Sequence, residues 1–379
     1  MNAPSAMALG ASAATPMDAA LSAVLRDPQA ALGLVPGAWD LVVRQAASAD
    51  MLATLARLLQ DAGLLAQVPA APRAHLEWAL TAAASHARGA RHEVERIRAA
   101  LDGLDVPLIL LKGSAYAMAG LDAGRGRLFS DIDILVPKDR LDDVEAALML
   151  HGWASTHHDA YDQRYYREWM HELPPMVHLR RGNTIDVHHA ILPETAADRP
   201  DPAKLRAGAL PVPGQPGLYM LAPHDMFLHS AVHLFAGGEF NHGLRDLFDL
   251  HRLACQFGPT PGFWEGLAPR AAELELSRPL FYALRYLGRQ FGTAVPPAVF
   301  AAADAGRPPA PLLSLMDRLF LRALQAPLPA SAGHLYGVAL FSLYIRGNWL
   351  RMPPMLLIRH LFHKAFISPK KEKGDQPQI

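Results

Sequence analysis

The sequence predicts an α+β fold in which a region of alternating strands and helices lies between two helical regions. Two observations support this fold class. Leucines recur at helical spacing toward both ends of the chain, and short apolar segments typical of strands are confined to about residues 90–192. At 379 residues, the chain is long enough for about two or three domains with substantial cores.

The N-terminal part of the chain is predicted to be helical after a short tail. Residues 1–20 are rich in small residues and lack the basic start and compact apolar block of a signal peptide, so we expect them to be disordered. Residues 21–88 are predicted to form a helical N-terminal region. The spacing of Leu52, Leu55 and Leu59 is helical, and β-branched residues are scarce.

Residues 89–192 contain the predicted strands. The run VPLILLKG (106–113) predicts a strand that ends at a glycine, and Ser114 is placed to cap a short helix after it. The run DIDILV (131–136) predicts a second strand, which an amphipathic helix follows. Two alternating segments between 175 and 192 flank a Gly-Asn pair, which is the pattern of a β-hairpin.

The remainder of the chain divides at a cluster of prolines. We interpret residues 193–217 as a linker without helix or central strand, because prolines recur there: Pro193, Pro200, Pro202, Pro211, Pro213 and Pro216. Residues 218–367 are predicted to form a helical C-terminal domain, and residues 368–379 a disordered polar tail. The apolar stretch 335–345 is shorter than the ~20 residues of a spanning helix, so we expect no transmembrane segment.

Composition narrows the possible partners and the compartment. The 36 Lys and Arg residues balance the 36 Asp and Glu residues, which argues against a long nucleic-acid substrate because such substrates usually demand a basic groove. Cys255 is the single cysteine, so an internal disulfide and a zinc site built from several cysteines are excluded. A single cysteine also fits a reducing cytoplasm, where we expect the protein to be.

Three aspartates interrupt predicted strands. Asp131 and Asp133 lie two residues apart, and alternate side chains of a strand share a face, so their carboxylates are expected to be neighbours. Two like charges this close destabilise a fold unless a cation lies between them. Asp186, between Ile185 and Val187 of the hairpin, is a natural third ligand. Because all the ligands are oxygens, the pattern predicts magnesium or manganese and not zinc.

The strand that ends in LLKGSAY supplies a candidate phosphate site. Gly113 permits close approach to the backbone, and Ser114 stands at the predicted helix N-terminus, where free backbone N–H groups attract anions. Lys112 lies beside them. A phosphate site followed by paired carboxylates indicates two-metal chemistry on a phosphoryl group.

Taken in order, LLKGSAY, GRGRLFSDIDILV and IDVHHAI resemble the bacterial family of uncharacterised nucleotidyltransferases. The fold of that family is shared by DNA polymerase β, poly(A) polymerases and aminoglycoside nucleotidyltransferases. The resemblance implies a mixed-sheet core and transfer of a nucleotidyl group from a nucleoside triphosphate to an acceptor hydroxyl or phosphate, with release of pyrophosphate. It also implies Mg²⁺ or Mn²⁺ as cofactor, and ATP is the favoured donor.

The resemblance also assigns roles to individual residues. Gly113 and Ser114 would bind the phosphates of the nucleotide, and Lys112 lies beside them. Asp131 and Asp133 would hold the metals.

Three further roles concern the acceptor and the charge of the substrate. Asp186 would complete the metal site and help to deprotonate the acceptor. Arg127 matches the position of a family arginine that could neutralise triphosphate or acceptor charge. His188 shares a strand face with Asp186 and could touch the nucleotide or the acceptor.

Other functions remain open at this point. A catalytically silent version of the fold would bind a nucleotide or a protein partner as a regulatory module. The residues do not distinguish a small-molecule acceptor from a peptide or protein acceptor. A weaker hypothesis is a HEPN-like ribonuclease, because Arg245 and His251 fit its loose Arg-x(4–6)-His pattern, although Arg245 and Asp249 are also spaced for a helical ion pair.

Histidines are frequent between residues 151 and 189, but they lack the matching Cys or Glu spacing of a zinc site. We therefore interpret them as surface or pocket-lining groups. His229 and His233 lie four residues apart on a predicted helix, and no third ligand follows at a recognisable spacing. We expect this second pair to line the cleft next to the strands.

Overall fold

The α+β prediction is confirmed in the computed structural model, which describes residues 20–156, 159–326, 333–353 and 355. The helices of this part of the chain are α1 (Ala20–Arg26), α2 (Pro36–Ser48), α3 (Leu52–Asp61), α4 (Ala70–Ala100), α5 (Lys112–Met118), α6 (Leu141–Leu150), α7 (Ala160–Trp169), α8 (Pro202–Ala207), α9 (Pro223–Gly237), α10 (Gly243–Phe257), α11 (Phe263–Glu273), α12 (Ser277–Phe291), α13 (Pro297–Ala303), α14 (Ala310–Ala323) and α15 (His334–Arg351). The predicted tail at 368–379, and all but the last residue of the one at 1–20, lie outside the described residues.

The strands form one mixed sheet. They are β1 (Leu108–Leu110), β2 (Asp131–Leu135), β3 (Trp153–Ser155), β4 (Met176–His178), β5 (Thr184–His188), β6 (Leu210–Pro211) and β7 (Leu218–Met220). Their order across the sheet is β3-β4-β5-β2-β1-β7-β6. Strand β2 runs parallel to β5 and antiparallel to β1, and β4 and β5 form the predicted antiparallel hairpin.

The helices bury apolar side chains against this sheet and against one another in a continuous core. Ile132 and Ile134 of β2 are buried in it, on the opposite face from the aspartates of that strand. The 31-residue helix α4 contributes Val94 and Ile97 from its second half. Helix α9 is buried along most of its length, and Tyr116 of α5 hydrogen-bonds Ser230 of α9. Strands and C-terminal helices therefore share a core.

The prediction that residues 193–217 contain neither helix nor central strand is wrong at α8 and leaves room for the edge strand β6, because proline is tolerated at both places. Pro202 is the first residue of α8, where a helix needs no N–H donor, and Asp201 caps this helix by accepting from the N–H of Ala203 at 2.8 Å. Pro211 lies in β6, an edge strand. The sheet also extends further along the chain than predicted, since β7 pairs with β1.

No helix of the described residues is long and apolar enough to cross a membrane. The apolar stretch 335–345 lies in α15, which ends at Arg351.

The loop between α5 and β2 is fixed to helices on both sides. Thr54 of α3 donates its hydroxyl to the carbonyl oxygen of Gly126 at 3.0 Å, and His86 of α4 donates to that of Phe129 at 3.2 Å. Arg252 of α10 donates to the carbonyl oxygen of Arg125 at 2.9 Å. The loop therefore reaches β2 in a defined position.

Gly126 is the residue at which this loop approaches α3 most closely. Its φ is +76°, and a Cβ atom there would lie 2.6 Å from the carbonyl oxygen of Ala53. We expect Gly126→Ala to lower the free energy of unfolding by about 2–4 kcal/mol, because left-handed strain and a backbone clash add. Gly182→Ala is the matched control: its φ is +74° but the space around it is open, so about 1 kcal/mol is expected. Urea unfolding measures both, and equal effects would contradict the close approach.

Candidate functional site

Asp131, Asp133 and Asp186 come together where β2 and β5 run side by side. In the parallel register, Asp133 lies opposite Asp186 and Asp131 lies opposite Thr184. One carboxylate oxygen from each aspartate lies within 4.8 Å of the others. Asp131 is exposed at the start of β2, whereas Asp133 is buried. The cluster is thus open to solvent at Asp131 and buried against the sheet at Asp133.

Asp133 is held by two basic side chains. Lys112 Nζ lies 3.0 Å from Asp133 Oδ1, and His188 Nε2 donates to the same oxygen at 2.9 Å. Burial by itself would raise the pKa of Asp133, but Lys112 and His188 outweigh it and hold the pKa far below its usual range. Asp133 is therefore ionised at every physiological pH.

Asp186 has the opposite character. Burial, together with the charges of Asp133 and Glu172, raises its pKa to about 7. Within the described part of the chain, Asp186 Oδ1 is buried without a hydrogen-bond partner. A carboxylate oxygen with no donor beside it, next to two further carboxylates, fits a divalent cation with oxygen ligands such as Mg²⁺ or Mn²⁺.

The raised pKa of Asp186 predicts a pH-dependent stability. The unfolded chain loses this proton near pH 3.8 and the folded protein near 7, so the free energy of unfolding falls as the pH rises between these values. We expect the fall to be about 2 kcal/mol, after allowance for partial exposure, and to be absent in Asp186→Asn. Urea unfolding with chelator across this pH range measures it. Saturating Mg²⁺ should remove the slope from the wild type, and an unchanged slope in Asp186→Asn would contradict the assignment.

The turn between β1 and α5 differs from the prediction at Ser114. Helix α5 begins at Lys112, the residue before it is Leu111, and no side chain caps it. Ser114 lies inside the first turn and is buried, and its hydroxyl donates to the carbonyl oxygen of Leu111 at 2.8 Å. Its predicted capping role is therefore wrong, because the helix already begins at Lys112, whose φ is +45°, and the N-cap position lies three residues earlier, at Leu111.

Gly113 lies where the turn meets the loop before β2. A Cβ atom at Gly113 would stand 3.0 Å from Nε of Arg127 and 3.4 Å from the ring of Phe129. The glycine therefore lets the Arg127 side chain lie directly against the turn. The candidate phosphate site is thus brought next to a guanidinium group.

Arg127 is paired with a residue of the C-terminal helices. Its guanidinium contacts the carboxylate of Asp249 on α10. The predicted helical ion pair between Arg245 and Asp249 is consequently wrong. Arg245 instead donates to Asp50 at 2.9 Å and to Asp246 at 3.1 Å, because the tertiary structure offers both residues nearer partners.

The ribonuclease pattern receives no support from the described residues. His251 Nδ1 lies 2.8 Å from the hydroxyl of Thr293, and burial lowers the pKa of its ring to about 4. Arg245 has a different set of partners, Asp50 and Asp246. Among the described residues, Arg245 and His251 thus have separate hydrogen-bond partners and do not form one group.

Of the second histidine pair, only His229 is buried beside the site. Burial and the neighbouring Lys112 lower its pKa well below the ordinary value. His233 is exposed, and its Nδ1 lies 3.8 Å from Asp246 Oδ2. The two histidines therefore differ in exposure, although both lie near Lys112.

Sequence reasoning missed Glu172 and included His171 only among the histidines interpreted as surface or pocket-lining groups. Glu172 Oε2 lies 3.2 Å from His188 Nδ1, and His171 stacks obliquely on His188 with ring centroids 5.3 Å apart. Burial would lower the pKa of His188, but Glu172 and Asp133 outweigh it and raise the pKa. The only sequence signal was a His-Glu pair just before two prolines, which becomes informative once this segment is seen beside β5.

The sequence profile of the family described as "Uncharacterised nucleotidyltransferase" matches residues 36–292, which is more than half of the chain. The chain belongs to the uncharacterised nucleotidyltransferase family. Neither a curated protein nor a solved structure matches it significantly. The matched range contains the whole sheet, so the family unit extends well beyond the strands predicted between 89 and 192.

Membership of the uncharacterised nucleotidyltransferase family supports nucleotidyl transfer as the general reaction and a nucleoside triphosphate as substrate. The aspartate cluster and the Gly-Ser turn both lie inside the matched range.

Proposed function

We propose that this protein is a Mg²⁺- or Mn²⁺-dependent nucleotidyltransferase that moves a nucleotidyl group from a nucleoside triphosphate, with ATP the expected donor, to a hydroxyl or phosphate acceptor. The observation that carries the proposal is the cluster of Asp131, Asp133 and Asp186, whose carboxylates meet within 4.8 Å and include a buried oxygen without a donor. Family membership independently supports the reaction class.

The three aspartates would hold the cation. Divalent ions bound there would supply neutralisation of phosphate charge and activation of the attacking oxygen. Lys112 and His188 lower the pKa of Asp133, so this ligand is ionised throughout the physiological pH range. Asp186 would complete the metal site, and its second carboxylate oxygen would help to accept the proton of the acceptor hydroxyl.

The turn after β1 would bind the phosphates. Gly113 lies buried in the first turn of α5, where a helix has backbone N–H groups without partners in the helix. Arg127 turns its Nε toward Gly113 while its Nη1 contacts Asp249, so the Nε side of the guanidinium is the part available to a phosphate. Lys112 and the Ser114 hydroxyl already have partners within the protein. We therefore assign these two residues to positioning Asp133 and the turn.

The proposal is tested with purified full-length protein and the four common nucleoside triphosphates, with and without Mg²⁺. Calorimetry is expected to show Mg²⁺-dependent binding, strongest for ATP, and slow pyrophosphate release is expected even without the natural acceptor because water can replace it. Candidate acceptors, a set of small hydroxyl compounds and a set of peptides, are then compared by the rate of that release.

Each outcome of this experiment is informative. Tight, metal-dependent nucleotide binding with no release under any condition would favour a catalytically silent regulatory module of the same fold. Failure to bind any nucleotide would overturn the transferase proposal. Faster release with the peptide set than with the small compounds would identify the acceptor class.

A further inference from the structure

A second group of metal-ligating side chains lies beside the aspartate cluster. One ligand atom from each of His171, Glu172 and His188 lies within 4.8 Å of the others. None of these atoms belongs to the three aspartates. In a tetrahedral site with bond lengths near 2.0–2.1 Å the ligands stand roughly 3.4 Å apart, so small side-chain rotations would close the group around an ion.

Two nitrogens in this group are buried without a hydrogen-bond partner. Among the described residues, Nδ1 of His171 and Nδ1 of His188 are the two such nitrogens of this group. The His188 side chain is only 3% exposed, and although its Nδ1 lies 3.2 Å from Glu172 Oε2, that contact does not have hydrogen-bond geometry. Buried polar atoms without partners are rare in folded proteins, and binding of an ion is one way in which such atoms are satisfied.

The backbone holds the three residues in place. Glu172 forms an antiparallel bridge with His188, which puts the two side chains next to each other. Leu173 donates its N–H to the carbonyl oxygen of Val187 at 2.9 Å, and His189 donates to that of His171 at 2.8 Å. Segment 171–173 is therefore bound along the end of β5, and the ligand group sits on paired backbone rather than on a free loop.

The second ring nitrogen of His188, Nε2, faces a carboxylate, as in many metal-binding histidines. Its Nε2 lies 2.9 Å from Asp133 Oδ1, and in the neutral ring that donates this N–H the lone pair is on Nδ1, which faces Glu172. Histidines that bind metals usually donate their second ring N–H to a carboxylate, which fixes the tautomer and raises the basicity of the ligating nitrogen. Asp133 fills this role for His188.

We propose that His171, Glu172 and His188 bind one divalent transition-metal ion, of which Zn²⁺ is the expected example, separate from the ions at the aspartate cluster. Two imidazoles and one carboxylate suit Zn²⁺ or Fe²⁺, whereas Mg²⁺ prefers oxygen ligands. The ion orients His188, and through it Asp133, so that the second site supports the first. The expectation that the histidines of residues 151–189 form no zinc site is thereby revised, since the missing ligand is the glutamate.

A simpler arrangement is an imidazolium of His188 held between Asp133 and Glu172. It accounts for the contacts of His188 on both sides. It leaves Nδ1 of His171 buried and unpartnered, and it gives His171 no role. The metal site predicts saturable metal binding that depends on His171, whereas the imidazolium arrangement predicts no such binding.

The test uses full-length protein treated with chelator and then dialysed into excess Mg²⁺, which occupies the aspartate cluster. Co²⁺ is titrated in, and its visible absorption reports a low-coordinate nitrogen and oxygen site. We expect one Co²⁺ per chain, displaced by Zn²⁺, and a rise in melting temperature on Zn²⁺ addition. His171→Ala and Glu172→Gln are each expected to weaken Co²⁺ binding by about 100-fold.

Two controls separate this proposal from the transferase proposal and from adventitious binding. His151→Ala removes an exposed histidine outside the group and should bind Co²⁺ as the wild type does. Asp131→Asn/Asp186→Asn should also bind Co²⁺ normally although its nucleotide chemistry is lost. The inference is overturned if the wild type shows no saturable Co²⁺ band, or if Glu172→Gln, which should fold because Glu172 is partly exposed, binds Co²⁺ as tightly as the wild type.

Discussion

Asp131→Asn is expected to lower the rate of pyrophosphate release about 1,000-fold, because the loss of one charged metal ligand removes several kcal/mol of stabilisation from the phosphoryl transition state. Asp131 is exposed at the start of β2 and receives a hydrogen bond from Ser130 at 3.0 Å. Its replacement by an isosteric amide should therefore change the free energy of unfolding by no more than about 0.5 kcal/mol. Asp131→Asn is thus expected to lose activity while it keeps the stability of the wild type.

The measurement is release of pyrophosphate at saturating nucleotide and Mg²⁺, with urea unfolding of the same preparations. Asp139→Asn is the matched control, since Asp139 is an exposed aspartate that follows the same strand but lies outside the cluster. It should retain wild-type activity. Full activity in Asp131→Asn would show that the aspartate cluster does not perform the reaction.

Asp133→Ala is expected to lower the free energy of unfolding by about 3–5 kcal/mol, the usual effect of removing one partner from a buried ion pair. The Asp133 side chain is 6% exposed and that of Lys112 is 20% exposed, so the variant leaves an ammonium group in the protein without its counter-charge. His188 loses its acceptor at the same time. This residue therefore joins a structural role to its proposed metal-binding role.

A double-mutant cycle with Lys112→Met tests the cause of this destabilisation. If the unpaired ammonium is responsible, Lys112→Met/Asp133→Ala should be more stable than the sum of the two single variants by about 1–3 kcal/mol. Urea unfolding in the absence of Mg²⁺ provides the four values. Strictly additive effects would mean that Asp133 stabilises the fold through packing or through His188 instead.

His188 connects the two sites. It shares Asp133 with Lys112 on one side and faces Glu172 and His171 on the other. A change in the charge or orientation of this ring reaches the aspartate cluster through a single hydrogen bond. Binding of the proposed transition-metal ion is therefore expected to affect the aspartate cluster through His188. Each proposal is nevertheless tested by its own measurement.

Much of the site follows from local patterns. Alternation along β2 places Asp131 and Asp133 on one face and sends Ile132 into the core, because side chains of a strand alternate whatever the rest of the chain does. The hairpin was predictable for the same reason, since Gly182-Asn183 lies between two alternating segments. The α+β class followed from the distribution of these local patterns along the chain.

Tertiary structure alone decided which side chains meet. The register of β2 and β5 sets Asp133 opposite Asp186, and it brings His188 to Asp133 across 55 residues of sequence. The partner of Arg127 proved to be Asp249, 122 residues away, where helical spacing had favoured Arg245 for that aspartate. Periodicity describes only neighbours within one element. Contacts between elements depend on register and packing, which are properties of the folded chain, and for that reason the sequence did not show that His171 and Glu172 meet His188.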